Sequence, residues 1–398
     1  MIVVYILTSL LFVYLASTIL YLFFLAAAGR FGKLRKYTSH PDKTRIAVII
    51  PSYKEDSVIV DTARQALNQD YPKDKYTVTV VADQLQPETI RLMQEIPVNV
   101  IPVRLEKSMK ARSLNAAFQQ LASGNYDLAM ILDADNIMSP DTLEKVNHAY
   151  RSGWQVVQCH RTAKNKNNAV AILDAMSEEI NNTMLRRGQR VLGLSCALIG
   201  SGMAFRYDLI SDIFTLPAIQ DNPGEDREID IQLVKKDIMV EFIEDAYIYD
   251  EKVQRKEVFE KQRTRWLGTQ VDHLKSFLSP DMKQMRTHKI FLHKLFQCIF
   301  LPRLLLMLVF LLVIAVCILT IITGFPIMAP DWPWWLSLVG MYALTMFIAI
   351  PSAFYNRQTL SALSRIPVLM FSMVKALLNI KKHKTGFLHT PKEFSAKA

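Results

Sequence analysis

Apolar residues along this chain fall into two regimes. Near the ends they run almost unbroken, and through the middle they come in short bursts between polar stretches. Residues 2–28 carry no charged side chain, and further apolar runs begin at 304 and at 332. Each run reaches the roughly 20 residues that cross a hydrocarbon core of ~30 Å. They predict membrane helices at 1–28, 303–325 and 332–352. The first run is longer than a signal-peptide core, and no Lys or Arg precedes it, so it is read as an uncleaved anchor despite Ala26-Ala27-Ala28. Arg30, Lys33, Arg35 and Lys36 follow it directly. Excess positive charge stays on the cytoplasmic side, which puts the N-terminus outside and the segment after the first helix in the cytosol. The second and third spans then go out and back, as expected for an integral protein of the cytoplasmic membrane.

The middle, 40–280, alternates short strand-like runs with helical ones. Strands are predicted at 45–51, 76–82, 98–103 and 128–132, with helices at 57–68 and 109–121. Strands alternating with helices of about 10–15 residues predict an α/β domain with a mostly parallel central sheet. Ligands of such sheets bind beyond the carboxyl ends of the strands. Tyr53, Glu55, Asp83, Asp133 and Asp135 all stand at predicted strand ends and are expected to share one crevice.

Beyond Phe259 the pattern turns helical and basic. An amphipathic interface helix is predicted at 284–302, where His288, Lys289, His293 and Lys294 interrupt apolar residues. Another is predicted at 360–381, where serines and Arg365 break up the apolar run and Lys381-Lys382-His383-Lys384 follows. A basic tail, 385–398, ends the chain.

Composition sharpens this picture in two ways. The 398 residues carry a formal net charge of +10. That excess suits anionic headgroups and a phosphorylated substrate, and its dispersal along the chain argues against nucleic acid. The four cysteines, Cys159, Cys196, Cys298 and Cys317, include no C-x-x-C pair. They are read as free thiols in a reducing compartment.

Three short motifs carry candidate chemistry. Asp133-Ala134-Asp135 follows a buried strand, and two carboxylates on a turn suit a hard cation, Mg²⁺ or Mn²⁺, with sites left for a diphosphate. The same residues also suit a helix-capping turn, with Asn136 and Ser139-Pro140-Asp141 as the helix start. Gly224-Glu225-Asp226 offers a carboxylate that could take a proton from an attacking hydroxyl, or a favourable charge at a helix N-terminus. Gln262, Arg265 and Trp266 fall on one helix face. An Arg there neutralises a diphosphate leaving group, a Trp stacks on a sugar ring, and a Gln amide holds a hydroxyl or phosphate oxygen. A basic helix touching headgroups would use the same residues.

Taken in order, Asp83, Asp133/Asp135, Glu225-Asp226 and Gln262–Trp266 resemble the signature of the family-2 glycosyltransferases. The likeness is to the membrane-integrated synthase branch, which includes cellulose, chitin, hyaluronan and poly-N-acetylglucosamine synthases. It covers about residues 45–275. The resemblance implies a GT-A-type, Rossmann-like domain and an inverting, metal-dependent transfer from a nucleotide-sugar, UDP-linked, to a glycan or lipid-linked acceptor. It implies donor binding by Pro51, Tyr53, Glu55, Asp83, Lys110, Asp133, Gln262 and Arg265, and metal ligation by Asp135 with Asp133. Asp226, beside Glu225, would be the catalytic base, and Trp266 with Gly202 would meet the acceptor. Phe387–Lys392 is similar to a gating loop that closes over the nucleotide, which adds Thr390 and Lys392 to the donor set. The resemblance to the polymer-making members implies a growing glycan at the membrane, with a homo-oligomer or an accessory export subunit as expected partners. Those members have more membrane helices than the three counted here, which leaves transfer of one or a few sugars to a lipid as the other expectation. A transporter or channel would place ionisable residues inside its spans, and 304–325 and 333–351 have none.

Overall fold

The computed structural model describes residues 1–380. Its α/β domain is built on one eight-stranded sheet: β1 (Ile46–Tyr53), β2 (Tyr76–Asp83), β3 (Asn99–Val103), β4 (Leu128–Ile131), β5 (Ile137–Met138), β6 (Val156–Ala163), β7 (Met203–Arg206) and β8 (Glu241–Asp250). The spatial order is β3-β2-β1-β4-β7-β6-β8-β5. Only β7 and β5 run against the rest, as the pairings of β4 with β7, β6 with β7 and β5 with β8 are antiparallel. The expected mostly parallel sheet is therefore present, with two reversed strands that alternation alone did not predict.

Strand periodicity decides which side chains enter which layer. In β1, Ile46, Val48 and Ile50 pack under helices Ile59–Ala66 and Thr142–Arg151. Ala47 and Ile49 point the other way, against helix Lys110–Leu121. The chain moves outward from β1 to β2 and β3, then returns to place β4 on the other side of β1. That reversal is the point at which open α/β sheets form a binding crevice. Here the strands part physically. The β1–β4 ladder ends at Ile49↔Ile131, while β1 continues beside β2 as far as Tyr53↔Asp83. Pro51 sits just past the parting. Ile49 gives its carbonyl to Leu132, so the N–H that Pro51 lacks would face the same vacated side and costs no ladder bond.

The apolar runs form the helices expected of them. Ile2–Phe31, Arg303–Thr323 and Trp332–Ala349 are each long and apolar enough to cross a membrane. Leu15, Ile19, Leu306, Phe310, Val313, Trp335, Leu338 and Tyr342 close the space between them as one apolar core. The predicted segment 360–381 is two helices, Arg357–Leu363 and Ile366–Leu378, bent by 48°. The break falls where Pro367 occupies the first turn of the second helix, since proline has no N–H to give to the Leu363 carbonyl four residues back. The segment predicted at 284–302 divides into a 3₁₀ stretch, Pro280–Thr287, and helix Lys289–Ile299.

The first helix also docks on the α/β domain. Its Leu22, Leu25 and Ala26 pack against Ile172, Leu173 and Ile180 of helix Ala169–Asn181. That helix continues as a π-helical segment, Asn182–Gly188. A Cβ on Gly29 would lie 2.0 Å from Thr183 O, and one on Gly188 would lie 2.1 Å from Leu25 O. The two backbones touch, and only glycine allows that approach. All four cysteines are free and buried, in keeping with the sequence reading.

Candidate active site

Four loops meet at the parting of β1 and β4. The first two follow β1 and β2, where Lys54 donates its backbone N–H to Asp83 O at 3.2 Å. Lys54 and Gln84 both adopt φ +56°, a left-handed conformation that costs of order 1 kcal/mol or more for a residue with a side chain. These turns follow directly on Tyr53 and Asp83, which end their strands side by side. Asp83 is 1% exposed, and neither carboxylate oxygen makes a hydrogen bond to a described residue. Burial pushes its pKa up, and the nearby Ser108 hydroxyl and Lys54 ammonium only partly offset this. A buried carboxylate without a donor is costly unless a bound molecule brings an N–H or O–H to it.

The centre of the site is a lysine among acids. Lys110 opens helix Lys110–Leu121. Its Nζ donates to Asp133 Oδ1 at 2.5 Å and Gly200 O at 2.6 Å, and lies 3.3 Å from Glu225 Oε1. Burial alone would push this ammonium down, but Asp133, Glu225 and Asp226 hold it above the ordinary lysine range. Gly200 has φ +81°, and a Cβ there would stand 3.7 Å from Asp226 Oδ2 and 3.8 Å from Lys110 Nζ. Two acidic motifs about 90 residues apart therefore share one cation.

Within the second motif the two carboxylates differ. Glu225 is buried and faces Lys110; burial raises its pKa, Lys110 opposes that, and Asp226 and Asp133 add to it. Asp226 is half-buried at the N-terminus of helix Glu225–Lys235, with Oδ1 accepting from the Arg227 backbone N–H at 2.8 Å. Of the pair, Asp226 is the one open to a reacting group.

Behind the first motif lies a polar layer that the sequence reading missed. Ser201 Oγ accepts from the Asp133 N–H at 2.9 Å and donates to Asn136 Oδ1 at 2.5 Å. Asn136 Nδ2 donates to Asp135 Oδ1 at 3.1 Å and to Asp250 Oδ1 at 3.2 Å. The helix start read at Ser139-Pro140-Asp141 is real, with Asp141 just before helix Thr142–Arg151, but β5 separates it from Asn136, so Asp133 and Asp135 do not cap that helix. A buried Asn directly after D-x-D was the available signal. Among the described residues no group of three or more His, Cys, Asp or Glu could hold a metal by itself. Asp133 and Asp135 supply only oxygen, which fits a hard divalent cation whose remaining ligands come from a bound anion and water.

Helix Lys256–Leu278 forms the lower wall. Gly224, just before the Glu225-Asp226 pair, packs against Thr269, where a Cβ would come within 2.8 Å of Cγ2. Arg265 lies one turn before Thr269, and Gln262 lies one turn further back. Gln262 Oε1 is buried without a hydrogen bond to any described residue. Trp266 is 37% exposed. Arg263, which the helix-face pattern does not single out, stacks its guanidinium 4.1 Å from the Trp266 ring centroid and 4.5 Å from that of Phe259, and pairs with Asp174. It covers one face of the indole and holds it in place.

Below this wall Arg161, Lys252 and Arg186 surround Glu178. Burial would raise that carboxyl, but the three cations keep it well below the usual range. Arg161 also donates to Ile199 O at 3.2 Å, beside Gly200. Gly202 is placed differently from expectation. It is buried in the sheet, taking a hydrogen bond from Cys159 N and giving one to Ile131 O, and a Cβ there would strike Ile248 at 2.6 Å. Its role is backbone spacing, and Gly200 is the glycine that faces the cluster. Thr390 and Lys392 lie outside the described residues.

Comparison with known proteins agrees with this fold. A family model described as "Glycosyltransferase like family 2" matches residues 41–269. A curated relative, "Probable glycosyltransferase YdaM" of Bacillus subtilis (strain 168), is 27% identical over 267 residues; the match covers 62% of this chain and 60% of that protein. A solved structure, "Mannosyltransferase PcManGT from Pyrobaculum calidifontis in complex with GDP-Man and Mn2+", superposes with a TM-score of 0.55 at 17% identity. That match covers 94% of this chain and 98% of the other, a likeness of fold.

Proposed function

Because the chain belongs to glycosyltransferase family 2, with a GT-A-like α/β fold, we propose that it transfers a sugar, with inversion, from a nucleoside-diphosphate donor to an acceptor at the cytoplasmic face of a membrane. The observation that carries the reading is the shared lysine: Lys110 draws Asp133 of the first acidic motif and Glu225 of the second to one point, beside Asp226. The donor diphosphate would lie between that point and Arg265, with Mg²⁺ or Mn²⁺ on Asp135 and Asp133. The metal supplies charge neutralisation of the leaving diphosphate. Asp83, whose oxygens lack donors, suits a nucleobase N–H, with Pro51, Tyr53 and Glu55 along the same edge. Asp226 would take the proton of the attacking hydroxyl, and no protein nucleophile is needed for a single in-line displacement.

The membrane setting rests on the three apolar helices and on their outward faces, where Leu7, Val13, Leu312, Ile322 and Phe347 are all exposed. Arg30, Lys33, Arg35 and Lys36 orient the catalytic domain to the cytosol. The motif order supports the polysaccharide-synthase branch. The packing favours a narrower task, since side chains from the three long helices fill the space between them. A single copy then suits one or a few transfers onto a lipid-linked acceptor, and extrusion of a polymer would call for a path between copies or an export subunit.

The test is release of nucleoside diphosphate by detergent-purified protein with Mn²⁺, using UDP-glucose, UDP-N-acetylglucosamine and GDP-mannose, with mass analysis of lipid-extractable product. No release from any sugar nucleotide would refute the reading. Trp266→Ala is expected to raise the acceptor KM about 10-fold, the worth of one stacked ring, with the donor Kd nearly unchanged. An equal loss for donor and acceptor would remove Trp266 from the acceptor platform.

A further inference from the structure

Helix Lys289–Ile299 leads into the apolar helix Arg303–Thr323, and it turns two neighbouring side chains into the α/β domain. His293 reaches Ser195 O at 3.1 Å and the Tyr21 hydroxyl at 2.8 Å. Lys294 is 2% exposed, and its Nζ donates to Cys196 O at 2.7 Å and to Asp230 Oδ1 at 2.9 Å. A buried ion pair is a poor route to stability, because removing both charges from water offsets most of their attraction. What it does impose is one relative placement of the elements it joins.

Those elements are two walls of the active site. Asp230 stands one turn after Asp226 on helix Glu225–Lys235, so both belong to one rigid rod. Cys196 stands four residues before Gly200, whose carbonyl accepts from Lys110. One nitrogen atom thus ties the rod that carries the carboxylates to the segment that holds their shared lysine. It does so from the element that enters the membrane bundle.

We propose that Lys294 is a positioning residue for sugar transfer: it sets the helix bearing Asp226 against the Gly200 segment, and so links the geometry of the base to the membrane helices. The proposal rests on the reading of Asp226 as the base. Displacement of a reacting group by about 1 Å costs on the order of 100-fold in rate, so loss of the tie should appear in kcat. The donor's nucleobase and metal would be held by Asp83 and Asp135, which lie outside the tied elements, so its KM should hold.

The experiment compares the parent with Lys294→Met, Lys294→Arg and the double variant Lys294→Met/Asp230→Leu, all full-length in detergent. The double variant removes the pair without leaving a buried charge alone, so it stays folded where Lys294→Met alone could fail. Thermal midpoint, kcat and donor KM are read with Mn²⁺ and each of the three sugar nucleotides above. The expected result is a double variant that melts within a few degrees of the parent, with donor KM unchanged and kcat down about 10- to 100-fold. Lys294→Arg, which keeps the charge, should recover much of that loss. A double variant with kcat within twofold of the parent would overturn the proposal, as would a loss carried equally by KM. Asp226→Asn is run alongside. If it is inactive while the double variant is not, the tie fails and the base stands; if it turns over normally, the base assignment itself has failed.

Discussion

Asp226→Asn is expected to lower turnover by about 10²- to 10⁴-fold, the usual contribution of a positioned general base, while the donor still binds. The substitution is nearly isosteric. An Asn side-chain oxygen can still accept from the Arg227 N–H, so the helix start is kept. Glu225 cannot take over, because it is buried and committed to Lys110 at 3.3 Å. The check is calorimetric binding of a sugar nucleotide with Mn²⁺, set beside diphosphate release from the same preparation. Turnover within tenfold of the parent would mean that another group accepts the proton.

Asp135→Ala should abolish the metal-dependent part of donor binding. Asp135 is 2% exposed and oriented by Asn136, so its carboxylate is fixed before any ligand arrives. Loss of an orienting partner alone typically costs 10- to 100-fold in metal affinity, so removing the ligand itself should cost about 100-fold or more. Asn136→Ala is expected to fall within the smaller range. Titrating donor with Mn²⁺ and again with EDTA separates the two contributions. A parent whose donor affinity ignores EDTA would refute the metal site, and so would an Asp135→Ala protein that keeps the Mn²⁺ effect.

These outcomes draw on features that differ in how visible they were beforehand. Strands β1 to β4 and helices Ile59–Ala66 and Lys110–Leu121 were legible because alternation and helical spacing are local properties of the chain, whereas helix Pro87–Gln94 between β2 and β3 was not predicted. So were Asp83 and Asp133, which directly follow or end apolar runs, and Gln262, Arg265 and Trp266, which share a helix face. Other features could not be reached that way. Gly200 and Gly202 look equivalent in the sequence, yet one faces the acids and the other spaces the sheet. Arg263 and Lys294 looked like ordinary basic residues of amphipathic helices, and both are buried against carboxylates from distant segments.

By itself, the sequence determined the family, the strand ends at which polar chemistry gathers, and the three apolar helices. Each of these depends on residues near one another along the chain. Only the tertiary structure decided that Asp226 is open while Glu225 is buried, that Lys110 serves both acidic motifs, and that Lys294, on the helix leading into the apolar bundle, grips the helix of the candidate base. Burial and pairing of charges depend on which distant segments the sheet order brings together. A charged side chain has the same pattern in the sequence whether solvent or a buried partner meets it.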